Sequence, residues 1–134
     1  MNKKEKIKAR GKIRFEELIT ESGGTYSIDK VAEILSITKD EVLQYYNNRK
    51  LLAFEYRGEL VYPTWQFNNG DVIPYFGEIM SILGIHPPVC LFRFFLTYDS
   101  DLKLTPVEAM IKGDPKEIHI VRILAQQFNN QVAR

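Results

Sequence analysis

The sequence predicts a mainly α-helical protein in which a winged helix-turn-helix, with a small β-hairpin, precedes a small C-terminal helical bundle. Three observations support this fold class. Two short segments with helical spacing of apolar residues flank a tight turn at residues 36–38, and a hairpin pattern follows them. In the second half, prolines and glycines mark where successive helices begin and end.

The first half contains three predicted helices. Phe15, Leu18 and Ile19 favour a short helix over residues 13–22, before the Gly23-Gly24 break. Ser27 is suited to cap a second helix that ends at residue 35, because a serine oxygen can accept a hydrogen bond from a free backbone amide. The apolar side of this second helix comprises Ile28, Val31, Ala32 and Leu35.

A third helix begins after the turn. Thr38 and Glu41 have the spacing of a capping box, in which each side chain satisfies a backbone amide at the start of the helix. Helices joined by so short a turn cross steeply, and this geometry can present the second of them to a DNA major groove. A hairpin with its turn near Gly58 then supplies the predicted wing, and Trp65 and Phe67 are expected to seal it against the helices.

The second half predicts four helices. They cover residues 74–83, residues 89–96, a segment from the Thr105 capping box to Gly113, and a segment after Asp114-Pro115. We therefore divide the chain into a basic arm (1–12), a winged helix-turn-helix (13–68) and a helical interaction domain (72–130). A chain of 134 residues can form one domain or two small subdomains that share a core.

Charge is distributed unevenly along the chain. Residues 1–14 carry seven basic side chains and one acidic one, and because the whole chain has a net charge of +1, the remainder carries −5. The arm could lie along DNA phosphates, or it could be a solvated terminus that aids solubility. Cys90 has no partner for an intrachain disulfide, and no apolar run approaches the length of a membrane span. We expect a cytoplasmic protein with no membrane partner.

Polar residues on the third helix and the hairpin are the candidate DNA contacts. Glutamine and asparagine can form paired hydrogen bonds with adenine, and lysine or arginine can contact guanine or phosphate. The alternative is that these residues form the ordinary polar face of a surface helix. The predicted DNA-binding residues are Lys39, Asp40, Gln44, Asn47, Asn48, Arg49, Lys50 and Arg57.

The apolar run 89–96 suggests a second contact surface. A helix that is apolar on every side must be buried on every side. A four-helix unit this small has too few apolar side chains to cover all of them, so some would remain exposed to a partner. We therefore predict Phe92, Arg93, Phe95 and Arg122 as partner-binding residues. The alternative is that this run forms a central core helix. Neither histidine has a metal-ligand spacing, and no nucleophile or phosphate-loop motif occurs, so we predict no enzyme activity, metal or cofactor.

Two parts of the chain resemble known families. The first half resembles the winged helix-turn-helix of excisionase and MerR-type proteins, through Val31, Ala32, Leu35, Ile37, Val42, residues 51–53, Tyr62, Pro63, Trp65, Gln66 and Phe67. In this family a glycine is common near the end of the recognition helix, where this chain has Arg49. The second half resembles the C-terminal domain of the Xre/MbcA/ParS antitoxins, through the segments 74–84, 91–96, 104–109 and 113–114.

The combined resemblance implies an antitoxin that represses its own transcription. Such proteins bind operator DNA through the helix-turn-helix and cover a toxin, commonly a RES-domain enzyme that consumes NAD, with their C-terminal helices. We also expect a homodimer, because one small recognition module buries little surface on DNA. Two alternatives stay open: a stand-alone transcription regulator whose C-terminal domain self-associates, and a protein-interaction module without DNA binding.

Overall fold

The computed structural model describes residues 14–132, and these form a mainly helical protein with two small sheets, as the sequence predicts for the fold class. The predicted basic arm, residues 1–12, lies outside the described residues. In chain order the elements are α1 (helical residues 14–21), β1 (Thr25–Tyr26), α2 (Ile28–Leu35), α3 (Lys39–Asn47), β2 (Phe54–Tyr56), β3 (Glu59–Pro63), a 3-10 turn (Thr64–Gln66), β4 (Phe67–Asn68), β5 (Asp71–Val72), α4 (Phe76–Leu83), α5 (Pro88–Leu96), α6 (Pro106–Lys112) and α7 (Pro115–Val132).

Capping residues determine where α2 and α3 begin. Ser27 accepts a hydrogen bond from the Lys30 amide, and Thr38 forms the predicted capping box with Glu41. Between the two helices, Ser36 adopts a left-handed backbone conformation with φ 56°, which turns the chain after α2. A small apolar cluster then holds the helices against the strands; it comprises Val31, Val42, Leu51, Ala53 and Tyr62.

The hairpin has the predicted turn. Strand β3 lies between β1 and β2 and pairs antiparallel with both. Arg57 and Gly58 form the two-residue connection between β2 and β3, with φ values of 52° and 83°. Positive φ at both central residues is typical of the type I′ turn, whose twist matches that of the strands it joins.

The four C-terminal helices form as predicted, with small shifts at their starts. Helix α4 begins at Phe76 and not at Pro74, because Tyr75 has a left-handed backbone conformation with φ 67° and serves as the N-cap. Helix α5 begins with Pro88 at its first position. Thr105 and Glu108 form the predicted capping box at the start of α6, and Gly113 ends that helix.

The larger core extends across the predicted domain boundary. Trp65, near the end of the first half, packs its ring against Phe76, Phe92 and Phe95 of α4 and α5, with ring centroids 5.2–6.0 Å apart. Phe15 of α1 lies 5.2 Å from Phe92 in the same cluster. The described parts of the two predicted segments, residues 14–68 and 72–130, therefore share one core.

This core also corrects one prediction. Phe92 and Phe95 are completely buried, with 0% of their surface exposed, so neither can bind a partner at the surface. Helix α5 is a central core helix, which is the alternative interpretation of the apolar run 89–96. The reason is tertiary: α1, the hairpin and Trp65 cover the side of α5 that the other C-terminal helices leave open.

Candidate nucleic-acid interface

Helix α3 presents one exposed polar face. Val42 is fully buried and Tyr45 and Tyr46 are partly buried, so the opposite side of the helix faces solvent. Four exposed residues three or four positions apart share that side: Asp40, Leu43, Gln44 and Asn47. Side chains placed in this way can contact neighbouring base pairs when a helix lies in a major groove.

Leu43 is a residue that sequence reasoning missed. It is 39% exposed in the middle of the polar face, where an apolar side chain could contact the methyl group of thymine. The sequence carries a weak signal for it, because Leu43 lies beside the buried Val42 and so cannot point in the same direction. This position off the apolar stripe could have identified Leu43 as a surface residue.

The start of α3 is held by an ion pair with α2. Lys39 Nζ lies 2.6 Å from Asp29 Oδ1, and both side chains are exposed. The hydrogen bond with Asp29, aided by its charge, raises the pKa of Lys39 above its usual value. Because water screens an exposed pair, a DNA phosphate can compete with Asp29 for the ammonium group. Asp40 is exposed in the same turn, where its carboxylate complements the positive end of the helix dipole.

The other end of α3 departs from the prediction at Arg49. Its guanidinium group turns away from the exposed face and donates hydrogen bonds to the backbone oxygens of Met80 (3.2 Å) and Gly84 (2.5 Å) at the end of α4. Arg49 is therefore engaged inside the protein, and its assignment as a direct DNA contact is withdrawn. Sequence reasoning failed here because the two acceptors lie more than thirty residues away.

Asn48 and Lys50 remain exposed near the same end of α3. They border a cavity of about 480 Å³ between α3 and the start of α4, together with Tyr45, Tyr75 and Glu78. Lys50 Nζ lies 5.6 Å from the Tyr45 ring centre, a weak cation–π contact for an exposed side chain. The amide of Asn48 and the ammonium of Lys50 are thus available at the edge of the polar face.

The hairpin turn carries one basic residue between two acidic ones. Arg57 is exposed, and its guanidinium lies 5.0 Å from the Tyr56 ring centre. Glu55 and Glu59 are also exposed and lie on the two paired strands. Within the bounds of α3 and the hairpin there are two basic side chains and four acidic ones, and the exposed Lys50 just after α3 adds a third basic one, so this surface alone has little general attraction for a polyanion.

No protein-family model and no curated protein matches this chain. Among solved structures, the chain is similar to the one titled "NMR structure of Rv2175c". The two chains share 23% sequence identity, the match covers 80% of each of them, and the TM-score is 0.58. At this identity the likeness shows a common fold and carries no information about activity.

The remaining predicted partner residues lie on a second surface. Arg93 is exposed on α5 and borders a groove of about 320 Å³ formed with α7 and the loop after α5. Phe94, Tyr98, Leu124 and Phe128 supply most of its apolar lining, and Tyr98 is 62% exposed. Sequence reasoning chose Phe92 and Phe95 and missed Phe94 and Phe128, because the period of a short apolar run does not show which side is covered.

Arg122 lies on α7, and its guanidinium is engaged with α4. Its Nε lies 2.6 Å from Glu78 Oε2, and this hydrogen bond lowers the pKa of Glu78 despite some opposition from burial. The same guanidinium lies 5.8 Å from the Tyr75 ring centre. Arg122 is also less exposed than Arg93, so it is the less accessible of the two to a partner.

Two further findings concern the described part of the chain as a whole. Within residues 14–132, no group of three or more histidine, cysteine or acidic side chains could hold a metal ion. Within the same range, no helix has both the length and the apolar character needed to cross a membrane.

Proposed function

We propose that this protein binds duplex DNA through α3, with the β2–β3 hairpin as a wing, and that it acts as an antitoxin that represses its own transcription. The observation that supports DNA binding is the exposed polar face of α3, on a helix that follows α2 after a three-residue turn and is followed by a hairpin. In a winged helix-turn-helix, this arrangement places the second helix in the major groove and the hairpin beside the phosphate backbone.

Base contacts can be tested on α3 with a matched control on α7. Gln44→Ala and Asn47→Ala should each weaken binding to the DNA upstream of the protein's own gene by about 1–3 kcal/mol, measured by fluorescence anisotropy. Gln126→Ala and Asn130→Ala remove the same chemical groups from exposed positions on α7 and should leave affinity unchanged. Equal affinities for all four variants would favour the alternative of an interaction module without DNA binding.

Because α3 and the hairpin carry no excess of basic side chains, we propose that the basic arm supplies the general attraction for DNA. Phosphate contacts release counterions, so affinity falls with salt in proportion to their number. Deleting residues 1–12 removes six basic side chains and one acidic one, and the plot of log affinity against log salt concentration should become markedly flatter. An unchanged slope would show that the arm is a solvated terminus and not a phosphate clamp.

The proposed partner of the C-terminal helices is a RES-domain toxin, and the groove beside Arg93 and Phe128 is where we expect it to bind. The tagged protein, purified from nuclease-treated native lysate, should retain such an enzyme in stoichiometric amount. Arg93→Glu should reduce that recovery, whereas Lys116→Glu, an equal charge change at an exposed site on α7, should not. Recovery of the protein alone would favour a stand-alone regulator that uses these helices for self-association.

A homodimer completes the proposal, since two modules on one operator bury the surface that specific binding requires. Sedimentation equilibrium of the free protein and of its DNA complex measures this directly. A single protein copy per operator would contradict the dimer without contradicting DNA binding.

A further inference from the structure

Arg49 occupies a backbone position that favours glycine. It directly follows the C-cap of α3 and has a φ of 59°, in the left-handed region where side chains are disfavoured. The Lys50 amide bonds the Tyr45 oxygen at 2.8 Å, and the Arg49 amide bonds the Tyr46 oxygen at 3.0 Å. This pair of bonds is the Schellman motif, in which glycine is the usual residue at the position that Arg49 holds.

The side chain of Arg49 provides a reason for an arginine at this position. Its Nη2 atom reaches two backbone oxygens, of Met80 and Gly84, at the C-terminal end of α4. These oxygens lie at the negative end of the α4 dipole, where a cation is stabilised. One guanidinium group thereby joins the end of α3 to the end of α4, beside a cavity of about 330 Å³ that Tyr46 and Leu91 also line.

The same end of α4 is fixed to α7. His86 Nε2 lies 2.7 Å from the Leu83 oxygen and 3.2 Å from Asn129 Oδ1. Gly84 leaves room for this contact, because a Cβ atom there would lie 3.2 Å from Asn129 Oδ1. Arg49 therefore anchors α3 to a junction that is held in turn by α7.

We propose that Arg49 is a positioning residue, which fixes the orientation of α3 against the C-terminal helices and so sets DNA affinity without contacting DNA. The inference rests on the proposed function for its effect on DNA, whereas the anchoring itself does not. Without the guanidinium, α3 retains its own caps and its contacts with α2, but it loses this link to α4. The exposed face of α3 then reaches the major groove in a wider range of orientations, and binding weakens.

The test compares two arginine-to-glycine variants. Arg49→Gly and Arg57→Gly each remove one positive charge from a residue with left-handed φ, so glycine suits the backbone at both sites. Arg49→Gly should weaken DNA binding about tenfold and leave the salt slope of the affinity unchanged, because no phosphate contact is lost. Arg57→Gly, at the proposed wing, should reduce that slope by about 0.9.

A second measurement needs no DNA. In hydrogen exchange of the free protein, Arg49→Gly should increase exchange at the Gly84 amide, which bonds the Met80 oxygen at the end of α4, whereas Arg57→Gly should leave it as in the wild type. Substitution at residue 49 changes the chain flexibility locally, but Gly84 lies 35 residues away in sequence and its oxygen accepts the guanidinium hydrogen bond. Increased exchange there supports the anchoring.

The outcomes separate the inference from the proposed function. A lower salt slope for Arg49→Gly, or affinity equal to that of the wild type, would overturn the positioning role. Unchanged exchange at the Gly84 amide would overturn the anchoring. If the wild-type protein binds no DNA at all, the proposed function fails, and the exchange measurement alone decides whether Arg49 anchors α3.

Discussion

At the scale of single residues, Gln66 is the most constrained polar side chain in the core. It is fully buried; its Oε1 accepts from the Leu52 amide at 2.8 Å, and its Nε2 donates to the oxygens of Leu52 and Pro63. Gln66→Ala leaves three buried backbone groups without these partners, so we expect a loss of about 3 kcal/mol in the free energy of unfolding. Urea denaturation measures it, with the exposed Gln44→Ala as control, and a loss below about 1 kcal/mol would contradict this account.

Tyr62 is also buried, but unlike Gln66 its polar group lacks a hydrogen-bond partner among the described residues. Burial, followed by the nearby Tyr46, raises the pKa of its hydroxyl. Because burial disfavours the charged phenolate in the folded state, this group leaves the stability unchanged below the unfolded pKa of about 10, and the stability falls as the pH rises from there through the folded value.

Tyr62→Phe removes both the unpaired hydroxyl and this titration. At neutral pH the variant should be as stable as the wild type or up to about 1 kcal/mol more stable, and its advantage should grow above about pH 10. Thermal unfolding as a function of pH gives the comparison. Tyr98→Phe, at a position that is 62% exposed, is the control, and the same pH dependence in both variants would rule out Tyr62 as the cause.

These residue roles differ in how far the sequence could predict them. The exposed face of α3 follows from its apolar spacing, and the structure exposes Asp40, Gln44 and Asn47 as expected. The hydrogen bonds of Arg49 to α4 and of Gln66 to Leu52 depend on backbone groups distant in sequence, which no local pattern reveals. The identity of a polar residue does not show whether its side chain faces solvent or bonds a distant carbonyl group.

At the scale of secondary structure, the helix caps were the most predictable features. Each cap depends on residues within one helical turn of each other, so the local sequence predicts it. Examples are the capping boxes at Thr38 and Thr105 and the helix end at Gly113. The sequence did not predict the start of α4 correctly, because the left-handed backbone conformation of Tyr75, between β5 and α4, is not evident from the local sequence. Helix α5 was ambiguous in sequence because covering elements come from the other half of the protein.

The Thr38 cap gives a prediction for a whole element. Its hydroxyl accepts from the Glu41 amide at 3.1 Å, at the start of the helix that carries the proposed DNA contacts. Thr38→Ala should lower the free energy of unfolding by about 1 kcal/mol, because an orphan amide at the start of α3 loses its acceptor. Thr38→Ser keeps the hydroxyl and should remain close to the wild type in urea denaturation. Equal losses in both variants would mean that the methyl group, and not the cap, stabilises α3.

At the scale of the whole molecule, the shared aromatic core makes the two halves interdependent. The chain's single tryptophan, Trp65, lies at their junction, within 5.4 Å of Phe92 by ring centroids. The basic arm and the acidic remainder divide charge along the chain, but apolar packing does not follow that division. The proposed DNA-reading helix packs on the small cluster around Val42 and Tyr62, whereas the proposed partner surface lies on the large core.

We expect the two halves to unfold in a single cooperative transition, which the fluorescence of Trp65 can report. Its fluorescence and the helical circular dichroism should lose their native values at the same urea concentration, because one transition removes both halves. Phe92→Ala in the large core should cost about 3–5 kcal/mol, and Val31→Ala in the small cluster should cost less, yet each should shift both signals together. The isolated segment 72–132 should show no cooperative transition, because Trp65, Phe54 and Ile19 no longer cover α5. Separate transitions in the full chain, or a cooperatively folded fragment, would show that the halves are independent domains joined by an incidental contact.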